Sequence, residues 1–123
     1  MKQIIFISLF LLALCSCEKE KQLIEEIYDE PGYAIGKITK STSVMFVLTY
    51  HYEFKTEQQV TYKGKKEGGI SNMDDTRMIG RQYLVVYKKS DPNKSDLNFR
   101  YSISSEEEFL KLVAGFKNNP PKP

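Results

Sequence analysis

After residue 17 this chain has no cysteine, and in all of its 123 residues it has one histidine, His51. A lone imidazole excludes metal sites built on two histidines. The missing thiols exclude disulfides and thiolate ligands from the bulk of the chain. Neither sign of charge is in strong excess, with 18 lysines and arginines against 16 aspartates and glutamates. Nucleic-acid-binding domains carry a marked basic excess, so no nucleic-acid partner is expected. No serine sits in a Gly-x-Ser-x-Gly elbow. Residues 64–69 lack the Gly-Lys-Ser/Thr ending of a phosphate loop. Residues 91–96 are acidic but lack the central glycine and distal glutamate of a calcium loop. No metal and no cofactor are expected, and no internal repeat is visible.

What is present concentrates first at the start. Met1 and Lys2 form a short positive opening, and Ile4 to Leu14 is an apolar run broken only by Ser8. Leu14-Cys15-Ser16-Cys17 follows, then the charged Glu18-Lys19-Glu20-Lys21. This is the layout of a secretory signal peptide. As a helix the apolar run spans only ~16 Å, too short for a hydrocarbon layer of ~30 Å. An ordinary secreted protein would show an Ala-x-Ala-like cleavage site near the end of the run, and none is present. The segment instead resembles a bacterial lipoprotein signal of the Bacteroidetes type, in which a cysteine after a small residue is lipidated and becomes the new first residue. Cys17 fits, with Ser16 before it and Leu14 three residues upstream. Cys15 follows Leu14, where a small residue is wanted. The resemblance implies that residues 1–16 are removed and that the lipid on Cys17 makes the membrane a partner. It places the protein in the cell envelope, at the outer membrane, on a face left open.

Cleavage there leaves 107 of 123 residues, and Lys2 departs with the signal, so 17 basic residues face 16 acidic ones. That length suits one domain and not two. Without bridges, the domain must be held by its own core.

Residues 17–32 read as a lipid-anchored tether. Within it Leu23, Ile24, Ile27 and Tyr28 would share one helical face, and Pro31-Gly32 would end such a helix. The helix would lie on the domain, or on the membrane beside the lipid; a loose stalk is the alternative. From Tyr33 the period becomes two. Tyr33 to Thr39 reads as a strand with Gly36 marking a bulge or close approach, and Ser41-Thr42-Ser43 as its connection. Val44 to Phe54 is the strongest strand signal, with Val44, Phe46, Leu48, Tyr50, Tyr52 and Phe54 on one face. Lys55 to Gln58 is a hairpin break, and Gln59 to Lys63 returns with Val60 and Tyr62 aligned. Gly64 to Met78 has no sustained period and reads as a long exposed loop, with Lys63, Lys65 and Lys66 in solvent. Gln82 to Tyr87 is apolar on both faces, as in a strand covered on both sides. Lys88 to Asp96 reads as a turn on Asp91-Pro92-Asn93, and Leu97 to Ile103 as a last strand. Val85 and Phe99 are expected in the core.

The end of the chain switches period again. Ser105 and Glu108 have capping-box spacing, as do Ser104 and Glu107. Glu106, Glu107 and Glu108 suit the positive end of a helix, and Phe109, Leu112, Val113 and Phe116 form one apolar stripe. Asn118 and Pro120-Pro121 stop the helix. The reading is thus a mainly β domain over residues 33–117, a single antiparallel curled sheet or small barrel of about five strands with one C-terminal helix, then a disordered tail over 118–123.

Over Tyr33 to Ile103 the residues Gly36, Tyr50-His51-Tyr52-Glu53-Phe54, Tyr62, Gly80-Arg81-Gln82-Tyr83-Leu84-Val85-Val86-Tyr87 and Asp91-Pro92-Asn93-Lys94-Ser95 form a pattern. It resembles that of small β-domains in exported and membrane-anchored bacterial proteins, often short lipoproteins. Thr56-Glu57-Gln58 stands where that group has an Asn-Gly turn, and the C-terminal helix is not part of the pattern. The resemblance implies a fold and no activity.

His51 reads as a partly exposed strand residue. The one feature with binding potential is the aromatic set Tyr50, Tyr52, Tyr62, Tyr83, Tyr87 and Tyr101, which could stack on a ligand or fill the sheet with rings buried and hydroxyls wet. The expected role is non-catalytic binding or assembly with an envelope protein or glycan. The alternatives are an inhibitor or immunity-type lipoprotein using the 64–78 loop, and a small hydrolase with a carboxylate pair brought together by the fold.

Overall fold

The computed structural model describes residues 19–70 and 75–123; the signal segment, Cys17 and Asp74 lie outside the described residues. Residues 19–29 form helix α1. Five strands follow, β1 (Pro31–Val44), β2 (Val47–Lys55), β3 (Thr61–Ile70), β4 (Gln82–Lys88) and β5 (Asp91–Ser102), then helix α2 (Glu106–Gly115). A single 3-10 turn, Thr76–Met78, precedes β4. The strands make one antiparallel sheet in the order β3-β2-β1-β4-β5, curled into a half-barrel.

β1 is long because it serves two partners. Pro31 to Lys37 pair with β4, and Lys37 to Val44 pair with β2. The register slips at Thr39, between Ile38 and Lys40, so the bulge falls there and not at Gly36. A bulge increases twist, and from it the sheet curls until β3 and β5 approach each other. Two contacts close that gap: Tyr52 and Ser95 share a hydroxyl hydrogen bond of 2.7 Å, and the Lys66 ammonium meets Asp96 at 2.6 Å.

The concave side holds the main core, with Ala34, Ile38, Leu48, Tyr50, Tyr52, Phe54, Val85, Tyr87 and Leu97. Val85 is buried as the alternation predicts, and Phe99 packs half-buried against the cluster, edge-on to Tyr50 and Tyr83. Among the described residues, the two helices cover the convex side over β1, β4 and β5. There α1 brings Ile27 and Tyr28, and α2 brings Phe109, Leu112, Val113 and Phe116, onto Tyr33, Leu84, Val86 and Tyr101. α1 therefore lies on the domain, clamped by Glu26 against Lys88 and Lys94. α2 starts as its cap predicts: the Ser105 hydroxyl accepts from the Glu108 amide at 3.2 Å, and the Glu108 carboxylate accepts from the Ser104 amide.

Four boundaries differ from the sequence reading. Ser41-Thr42-Ser43 belongs to β1, and the chain turns instead at Met45-Phe46 between paired Val44 and Val47. Both turn residues have positive φ, 51° and 67°. Two-residue hairpins of this shape favour Asn-Gly, and left-handed backbone costs an ordinary residue ~1–2 kcal/mol. Second, residues 64–70 of the expected 64–78 loop belong to β3. Its inward positions hold Gly64 and Gly68, where a Cβ would meet the rings of Tyr52 and Tyr50 at 2.3 and 2.1 Å. The rings fill the space an apolar side chain would take, so the period is present but hidden from a hydropathy pattern. Third, β5 begins at Asp91, with the register slip between Tyr87 and Lys88 absorbing Pro92-Asn93. Last, the end of the tail lies against β5: Pro121 is buried, the Lys122 carbonyl accepts from the Asn98 amide at 2.8 Å, and the Pro123 carbonyl accepts from Arg100 at 3.1 Å.

Asp96 ties these parts together. Buried at the seam, it accepts from Lys66 of β3 and from the Tyr28 hydroxyl of α1 at 2.7 Å, and Tyr28 accepts from Asn98 at 3.0 Å. Burial, then the Asp96 carboxylate, hold the Tyr28 phenol protonated far above its usual range. Lys66, expected in solvent, is thus a closure contact.

Candidate functional site

The tyrosines are placed by the curl of the sheet, and mostly inward. Tyr50, Tyr52 and Tyr87 are buried, and Tyr62 and Tyr83 pack half-buried against the same cluster. Tyr101 is on the convex side, edge-on to Phe116 under α2. Burial pushes the Tyr52 phenol up to about 12. Tyr50 donates to Asp75 at 2.9 Å, and that bond, followed by Arg77, holds the Asp75 carboxyl below its usual range. These six rings therefore build the core and leave no open row for stacking. Cys17 is outside the described residues.

The uncovered part of the convex side is the β1-β2-β3 end. Side chains of that face stand in cross-strand rows set by the register. One row is Lys37, Glu53 and Lys63; the next is Lys40, His51 and Lys65, each directly opposite its neighbour. In the first row Glu53 and Lys63 are 3.7 Å apart. In the second no carboxylate intervenes, and among the described residues neither Lys40 nor Lys65 forms an ion pair. Strands two apart put their backbones about 10 Å from each other, so the two ammonium groups flank the imidazole within reach of one anion. Like charges opposite each other weaken a sheet. Lysines on β3 guard an edge strand against pairing, and Lys40 lies on the stretch of β1 beyond its pairing with β4, which ends at Lys37.

The electrostatics agree with the geometry. His51 is held below the ordinary histidine value by burial first, then by Lys65 and Lys40. Its Nε2 lies 3.2 Å from the Thr42 hydroxyl, and its carbonyl accepts from Thr39 at 3.4 Å. Thr39, Lys40, His51, Glu53, Lys63 and Lys65 line a cleft of about 280 Å³. Glu53 is also on the wall of a larger groove of about 590 Å³, which runs to α2 and includes Tyr33, Ile35, Glu57, Glu106 and Phe109. The two depressions meet at Glu53. The larger has Tyr33 and Phe109 on its wall, and the smaller has the ammonium groups. An extended ligand lying over Glu53 could use both, by charge, hydroxyl contacts and apolar contact.

Sequence reasoning reached His51 but not its neighbours. Lys40, His51 and Lys65 have no common spacing along the chain, and only the pairing of three strands brings them together. Of the 64–78 segment, residues 64–70 belong to β3 and residues 71–74 lie outside the described residues. Among the described residues no group of three or more histidines, cysteines, aspartates and glutamates is placed to hold a metal ion, and no helix is long and apolar enough to cross a membrane. No family model matches the chain, and neither curated proteins nor solved structures yield a match.

Proposed function

We propose that this chain is a lipid-anchored cell-envelope protein, held through Cys17, whose β-domain acts by non-catalytic binding of an acidic glycan. The observation that carries the ligand class is the Lys40-His51-Lys65 row on the β1-β2-β3 part of the convex side, which neither α1 nor α2 covers and where, among the described residues, neither lysine forms an ion pair. Ammonium groups there would donate to carboxylates or phosphates of the glycan. Glu53 and Thr39 would accept from its hydroxyls, and Tyr33 and Phe109 would meet its apolar ring faces. The lipoprotein layout of residues 1–17 supports the anchor and the placement at the outer membrane.

The test is retention of the full-length lipidated protein, in detergent, on immobilised polygalacturonate. Wild type should bind and be released by salt, because exposed charge pairs are screened. The double variant Lys40→Glu, Lys65→Glu should bind about tenfold more weakly or worse, equivalent to ~1.4 kcal/mol, with an unchanged circular dichroism spectrum. Neutral dextran should retain neither protein. Equal retention of the double variant would remove this face as the ligand site.

A further inference from the structure

The β1–β2 hairpin ends in four consecutive apolar residues, Val44, Met45, Phe46 and Val47, exposed by 66, 89, 63 and 41%. They belong to neither core cluster. The turn that presents them holds Met45 and Phe46 at positive φ, where glycine or asparagine would fit without strain. Folding alone therefore does not account for these side chains, and backbone outliers of this kind are kept where a function uses them. No aspartate or glutamate occurs from Ile38 to Tyr52, and the hairpin pairs that follow the tip bring in Ser43, then Thr42 opposite Thr49, then Lys40 opposite His51. Glu67, opposite Thr49, and Asp75, bonded to Tyr50, are the nearest acids the pairing identifies.

We propose that this tip inserts into the interfacial region of the bilayer that carries the protein's own lipid anchor, giving the domain a second membrane contact. The choice of lipid rests on the anchor assigned above to Cys17, two residues before α1. That helix, 11 residues or ~16 Å long, keeps the domain close to one membrane, so a weak apolar patch meets lipid at high effective concentration. Protein interfaces need about one hydrogen bond per 100–200 Å², and the four side chains of the tip offer no donor and only the weak thioether acceptor of Met45. A pair of tips from two copies falls short of the ~1,000 Å² that a stable interface needs. Lipid requires neither a directed partner nor a matching shape, and the Val44–Val47 pairing closes the hairpin backbone on itself.

The chain has no tryptophan, so Phe46→Trp gives a single reporter at the tip and Val60→Trp a control at the other hairpin. Each full-length lipidated variant is mixed with vesicles of phosphatidylethanolamine and phosphatidylglycerol, floated, and read by emission. The expected result is flotation of both, a blue shift and quenching by brominated acyl chains for Phe46→Trp alone, and loss of flotation in Cys17→Ala. The pair Met45→Asn, Phe46→Gly, with the exposed Val44→Trp as reporter, should float, stay folded and give no bromine quenching. A chain that does not float overturns the anchor and the insertion together. A chain that floats with tip emission unchanged overturns the insertion alone. A blue shift that needs envelope proteins added to the vesicles overturns it in favour of a protein partner.

Discussion

Tyr52→Ala should cost the domain ~3–5 kcal/mol, the range for emptying the site of a fully buried large aromatic. The ring is 1% exposed, lies over Gly64, stands 6.1 Å from the Phe54 ring and reaches Ser95 across the open seam. Its removal empties space between β2, β3 and β5 at once, and Gly64 has no side chain to fill it. Against a total margin of ~5–15 kcal/mol that is a large fraction of stability. Chemical denaturation followed by circular dichroism measures it through the midpoint. Tyr52→Phe, which loses only the hydroxyl contact, should cost ~1 kcal/mol. A loss below that for the alanine variant would place the ring outside the core and the β2 register in error.

Asp96→Ala is the second large effect. One carboxylate there joins β5 to β3 through Lys66 and to α1 through Tyr28. Removing one partner of a buried ion pair costs ~3–5 kcal/mol. Because the Lys66 side chain is 33% exposed and can turn to water, the loss should fall at the lower end. Asp96→Asn keeps an acceptor for the Tyr28 hydroxyl and should lose less. The readout is the same denaturation midpoint, together with faster amide exchange in β3 and α1. Unchanged exchange in both elements would show that the seam is held by other contacts. Tyr52 and Asp96 flank the same seam at Ser95, so the two losses should not add.

The mainly β fold was legible wherever inward positions are apolar. Leu48, Tyr50, Tyr52 and Phe54 alternate against polar neighbours, Leu84 to Tyr87 are apolar on both sides, and each pattern matches its burial. The C-terminal helix was legible from Ser105, Glu108 and the stripe that includes Phe109 and Phe116. β3 was not, because glycines stand at two of its inward positions: Gly64 and Gly68 leave room for rings that come from β2, a relation between strands that no single strand displays. The Met45-Phe46 turn was hidden for the opposite reason, since its residues favour strands and carry none of the usual turn chemistry. The tail over 118–123 has no hydropathy signal and is placed by Asn98 and Arg100, whose amide and guanidinium meet its carbonyls.

The candidate site was legible only as a single histidine on a polar face. Tyrosine content drew attention to the aromatic set, yet a curled sheet of this size turns its aromatic face inward, where ring area stabilises the core. Lys63, Lys65 and Lys66 read as solvent residues because they fall in a stretch with glycines and no sustained period. The pairing of β1, β2 and β3 sets Lys65 in one row with Lys40 and His51, and that row marks the face.

Because the chain has one histidine, the imidazole C2 proton of His51 gives an isolated NMR signal at the centre of the proposed site. Its titration, in free protein and with polygalacturonate, tests the central claim directly. Free His51 should titrate below the ordinary value of about 6.5, since burial and the ammonium groups of Lys65 and Lys40 oppose its protonation. Bound carboxylates between those lysines should favour the imidazolium and move the midpoint upward. In the Lys40→Glu, Lys65→Glu variant the free midpoint should already be raised, and the glycan should no longer move it. A glycan that binds the wild type and leaves the His51 midpoint where it was would place the ligand elsewhere on the domain and contradict the account.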